Sequence, residues 1–113
     1  MKAYTDIEQS KKLAEFLSLE SADMRWYYKY NDGDKPQLSI CNGSKYYIPC
    51  WSLSSLLNVL PFPQLSKDNL GSGRIGWMVS AFPDNCRYDS CWHDSPIDAC
   101  VEMIIKLNEQ KLL

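Results

Sequence analysis

Ile7, Leu13, Ala14 and Leu17 recur at helical intervals, with Glu8, Lys11, Lys12 and Glu15 on the opposite side, the pattern of a helix that buries one face. Thr5-Asp6-Ile7-Glu8 has the form of a capping box, so the helix is expected to start there, with the Thr5 hydroxyl on the third helical N–H and Glu8 reaching back. The period then changes. Met24 to Tyr30 is dense in aromatic residues and alternates loosely, which predicts a half-buried strand. Asn31 to Asp34 reads as a turn and Gln37 to Cys41 as a second strand. Asn42-Gly43 signals a type I′ hairpin into a third strand near Lys45 to Ile48. Pro49 has no N–H to donate and is expected to stop the pairing.

Ser52 stands before Leu53, Leu56, Leu57 and Leu60, a capped apolar stripe that predicts a second helix ended by Pro61. Phe62 to Gly73 holds Pro63, Ser66, Asp68, Asn69, Gly71 and Ser72, the composition of a surface loop, and reads as a hinge between two halves. Arg74 to Phe82 places Ile75, Trp77, Val79 and Ala81 on one face of a strand. Pro83-Asp84-Asn85 turns it into a further strand from Cys86 to about Trp92. Ser95-Pro96-Ile97-Asp98 combines an N-cap, a proline at the first helical position and an acid at the positive end of the dipole. A last helix is expected from there to about Gln110. The order is α-ββ(β)-α-ββ-α: an α+β chain in which an antiparallel sheet of two hairpins carries three helices. Leu53, Leu56, Leu57, Ile75, Trp77, Val79, Ile97, Val101 and Ile104 are the expected core.

Composition narrows the function classes. At 113 residues with 45% hydrophobic and 23% charged positions, the chain is of the size that folds around one core, so residues 1–113 are read as a single domain. Twelve Lys and Arg against 14 Asp and Glu leave a net charge of −2. That balance gives nucleic acid and anionic membranes little to attract them. Tyr46 to Ser66 is an uncharged run of 21 residues, but three prolines, four serines, Asn58 and Gln64 break it, which rules against a spanning helix. Asp6 and Glu8 near the start argue against a secretory signal. With five cysteines, an odd number, the expected setting is a reducing cytoplasm without a disulfide framework. Cys100, among Ile97, Val101 and Ile104, is expected to pack as a small apolar residue.

The runs Tyr4-Thr5-Asp6-Ile7-Glu8-Gln9-Ser10-Lys11-Lys12-Leu13-Ala14, Pro49-Cys50-Trp51-Ser52-Leu53-Ser54-Ser55-Leu56-Leu57 and Ser95-Pro96-Ile97-Asp98-Ala99-Cys100-Val101-Glu102-Met103 resemble uncharacterised small proteins of prophages and mobile elements from gut anaerobic bacteria. The resemblance implies a bacterial cytoplasmic setting and an accessory role on a mobile element. It brings no assigned activity and no catalytic residue.

Three constellations could carry chemistry. Cys86, Cys91 and His93, joined by Cys41 or Cys50, are zinc-ligating types. Cys86 and Cys91, however, lie five apart on one expected strand instead of as a close pair on a tight turn. Cys91 and His93, with Asp89, Asp94 or Asp98 to orient the imidazole, form the available nucleophile and base, but His93 just before the Ser95 cap reads far more readily as a turn filler. Trp26, Tyr27, Tyr28 and Tyr30 interleaved with Arg25 and Lys29 could stack single-stranded bases, although two cations beside an acidic turn make a poor phosphate groove. No metal, cofactor or catalytic residue is assigned. The favoured reading is a protein-interaction surface of Arg25, Tyr27 and Lys29, for another protein or a second copy of the chain, since aromatic residues and Arg are enriched at interfaces.

Overall fold

In the computed structural model, which describes residues 2–28, 36–39 and 47–113, three helices and two antiparallel sheets form an α+β architecture. Helix α1 (Ile7–Ala14) leads into the first sheet, whose strands β1 (Met24–Tyr28), β2 (Pro36–Ser39) and β3 (Tyr47–Cys50) lie in the order β2-β1-β3. Helix α2 (Leu53–Val59) connects to the second sheet, β4 (Gln64–Gly71), β5 (Arg74–Ala81) and β6 (Tyr88–Asp89), in the order β4-β5-β6; α3 (Pro96–Glu109) follows. The expected turns at Asn31 to Asp34 and Asn42-Gly43 lie outside the described residues, as do Cys41 and Lys29. Among the described residues no helix is long and apolar enough to cross a membrane.

The helix starts follow local chemistry. Ser52 caps α2 by accepting the Ser55 N–H, and Ser95 caps α3 by accepting the Asp98 N–H, with Pro96 at the first helical position. The first capping box sits one residue later than expected. Asp6 accepts the Gln9 N–H at 2.7 Å while the Gln9 side chain accepts the Asp6 N–H at 3.1 Å. Thr5 is displaced from that task because it is fully buried: its Oγ1 accepts the Trp51 N–H at 3.0 Å and lies 2.8 Å from the Ser10 hydroxyl. The Thr5 N–H donates to the Trp51 carbonyl at 2.9 Å, so the N-terminal segment is stitched to the end of β3.

Pro49 does not end the pairing; it stands opposite Arg25 inside β3. Because β3 is an edge strand, a residue without an N–H is tolerated there. The segment read as a hinge is β4, paired with β5 from Gln64↔Ser80 to Gly71↔Arg74 with a bulge between Asn69 and Gly71. The hairpin closes at Gly71, Ser72 and Gly73, all with positive φ, a left-handed path that glycine follows without a Cβ penalty.

The core gathers on α3. Ile97, Cys100, Val101, Met103, Ile104 and Leu107 are buried with Leu56 of α2 and its C-cap Leu60, Val79 and Ala81 of β5, Leu13 of α1 and Trp51. Leu53 and Leu57 pack at its margin. Ile75 departs from expectation at 48% exposure, because the hairpin tip extends past the helix that covers the rest of its face. The strand expected from Cys86 to Trp92 shrinks to two residues. Pairing resumes only at the Trp77↔His93 bridge. Ser80 opposes Asp89 but Trp77 opposes His93, so one extra residue is bulged out around Cys91 and Trp92.

Candidate functional site

The expected interaction surface begins on β1. Antiparallel register sets Arg25 opposite Pro49 and Tyr27 opposite Tyr47, and opposed residues share a face. The Arg25 guanidinium sits over the Tyr47 ring, 4.6 Å from its centroid, a cation–π contact that holds the side chain along the sheet. Lys29 lies outside the described residues. Alternation sends Trp26 the other way, where its Nε1–H donates to the Thr5 carbonyl at 3.1 Å and its ring meets Tyr4 edge to face, centroids 5.6 Å apart.

Around the bulge, the carboxylate facing His93 is Glu102, and none of the three aspartates expected there. Glu102 Oε2 accepts the Cys91 N–H at 2.7 Å, and Oε1 lies 3.2 Å from His93 Nε2, at an angle that does not make a hydrogen bond. Asp89 accepts from Ser80 and Arg87, Asp94 pairs with Arg74, and Asp98 with Lys2 and Gln9. Burial raises the Glu102 carboxyl, but the Cys91 N–H and His93 outweigh it and hold it below the usual carboxylate range. Glu102 is thus occupied by the Cys91 backbone and faces the His93 ring, so this geometry buttresses a bulge better than it activates Cys91. Sequence reading missed Glu102 because it falls on the polar side of α3, where an acid looks like a solvated residue.

The four described cysteines form no common site. Cys50 and Cys100 are buried while Cys86 and Cys91 are exposed. Among the described residues no group of three or more His, Cys, Asp or Glu could hold a metal ion. Burial pushes the Cys100 thiol up to about 12. Trp51 is wholly buried, with its Nε1–H donating to Ser21 Oγ at 3.0 Å, a structural role. Trp92 lies exposed across Gly76.

Two further features were not singled out in the sequence. Phe62 is 80% exposed and adopts φ 48° between Pro61 and Pro63, and the Phe82 N–H fastens the loop by donating to the Pro61 carbonyl at 3.0 Å. Below that loop lies an open cleft of about 550 Å³ lined by Phe16, Leu17, Asn58, Leu60, Asn108 and Leu112, among others. Comparison with known proteins finds no matching family model, no matching curated protein and no matching solved structure.

Proposed function

We propose that this chain is a non-enzymatic interaction module that docks onto another protein. The observation that carries the reading is Phe62: a large apolar side chain exposed to solvent on a left-handed backbone. For a non-glycine residue that conformation costs on the order of 1–2 kcal/mol. Such strain gains the fold little for a side chain left mostly in solvent, whereas rigidly presented aromatics are the usual anchors of interfaces. Pro61 and Pro63 stiffen the loop and so reduce the entropy lost on docking. Leu70, Ile75 and Trp92 are exposed as well, toward the turn of the β4–β5 hairpin and so at the end opposite Phe62. Arg25 on Tyr47 is a second contact region of the composition that interfaces favour.

The resemblance stated above makes a mobile element in a bacterial cytoplasm the proposed setting. The nucleic-acid reading uses the Arg25 face and differs in its salt dependence. The enzyme reading loses support from Glu102, which engages the Cys91 backbone and the His93 ring together.

A photo-crosslinking phenylalanine analogue at position 62, incorporated in the native host, tests the proposal. A discrete protein adduct is expected from position 62 and not from the same analogue at Lys11 on the exposed face of α1. An adduct of the chain with itself would identify a homo-oligomer. Adducts with nucleic acid alone, or none above the Lys11 control, would refute the docking reading.

A further inference from the structure

We infer that the cleft between the ends of the three helices is a binding site for a protonated amine carried on an apolar stem. Its floor and walls come from residues at or just beyond the C-termini of all three helices: Phe16 and Leu17 after α1, Val59 and Leu60 at the end of α2, Asn108 and Leu112 at the end of α3. At the end of α3, Lys111 adopts φ 58° while the Leu112 N–H donates to the Leu107 carbonyl at 2.8 Å and the Lys111 N–H to the Asn108 carbonyl at 3.0 Å. That Schellman arrangement folds Leu112 back to form one wall of the cleft.

The cleft is of ligand size. Among the described residues, none that lines it is charged. Phosphate or carboxylate ligands therefore find no counter-ion, and each of the three helix ends presents the negative pole of its dipole. Of the lysines near those ends, Lys11, Lys12, Lys106 and Lys111, none is among the residues that line the cleft. Lys12 pairs with Glu15 at 3.5 Å, and Lys106 donates to the Asp89 carbonyl at 3.3 Å. Ser18, Ser21, Asn58 and Asn108 supply oxygen acceptors around the rim, and Phe16, Leu17 and Leu60 receive an apolar stem. A free amine and the lysine side chain of a partner share this chemistry. The site is independent of the docking proposed for Phe62.

The test is a titration of isotope-labelled protein, followed by amide chemical shifts, with phenethylammonium and with 3-phenylpropionate at matched ionic strength. The two probes carry a similar ring and stem but opposite charge. Phenethylammonium is expected to shift the amides of Asn58, Leu60, Asn108 and Leu112 in the millimolar range and to bind roughly ten-fold more tightly than the anion. Asn58→Lys, an exposed position, should lower amine affinity at least about ten-fold with an unchanged unfolding midpoint. A blocked lysine tripeptide forms the third arm: tighter binding than phenethylammonium identifies a protein side chain as the source, weaker binding a small amine. Equal or tighter binding of the anion, shifts confined to other regions, or an Asn58→Lys protein that binds the amine as well as the original overturns the inference.

Discussion

Lys2 and Asp98, 96 positions apart, meet at 2.7 Å, and the same carboxylate accepts from the Gln9 side chain at 2.7 Å. The start of the chain, the cap of α1 and the first turn of α3 are thereby joined. Burial disfavours the charge on each partner, yet their mutual contact prevails: Lys2 is raised above the ordinary lysine value and Asp98 lowered below the ordinary aspartate value.

Asp98→Asn should lower stability by about 1 kcal/mol at pH 7, the pair being partly exposed and screened. A depressed aspartate contributes stability that is present above its unfolded value of about 4 and is lost as pH falls through the folded value. The raised Lys2 contribution is present below the unfolded lysine value of about 10.4 and is lost as pH rises through the folded value. Urea unfolding should therefore separate the two proteins at pH 7 and bring them together in strong acid. A gap undiminished at pH 2 would mean that the charge is not the cause.

Phe62→Asn should raise stability by roughly 0.5–1 kcal/mol, because asparagine tolerates the left-handed region and the phenylalanine buries little. Lys111→Gly at φ 58° should act in the same direction through the α3 C-cap. Thermal unfolding reads both changes. A loss of stability in Phe62→Asn would show that the ring does structural work in the fold.

At Gly76, an added Cβ would lie 2.5 Å from Leu70 Cδ1 and 3.2 Å from Trp92 Cε3. Leu70 is an exposed, flexible side chain and can give way. Gly76→Ala should cost about 1 kcal/mol alone and clearly less beside Leu70→Ala, a coupling that a double-mutant cycle measures. Strict additivity would place the conflict elsewhere.

Iodoacetamide at pH 8 should label Cys86 and Cys91 in the folded protein and reach Cys50 and Cys100 only after denaturation, since burial shields both thiols and pushes both up. Mass spectrometry of the digest checks this. Rapid native labelling of Cys100 would contradict the packing of α3.

Glu102→Ala should speed hydrogen exchange at the Cys91 amide by roughly five- to ten-fold, the equivalent of one hydrogen bond of about 1 kcal/mol. Amides within α3 should keep their protection. Uniform acceleration across the second sheet would mean that Glu102 supports the whole sheet and not the bulge alone.

The α+β class, the three helices and much of the core were legible in the sequence, because those features rest on interactions a few residues long. Ser52 and Ser95 cap their own next turns, and Leu56, Ile97, Val101 and Ile104 repeat at the helical period. Tertiary structure alone decided the rest. β4 consists of residues with weak strand preference and becomes a strand because β5 supplies its partners. Pro49 is accommodated because β3 happens to lie at an edge, and Ile75 is exposed because α3 does not reach the hairpin tip. Thr5 gives up the cap because β3 buries it, and Glu102 meets Cys91 and His93 because α3 packs across a bulge. Each of these outcomes depends on which distant segment arrives alongside, and a local pattern of polar and apolar residues carries no record of that arrival.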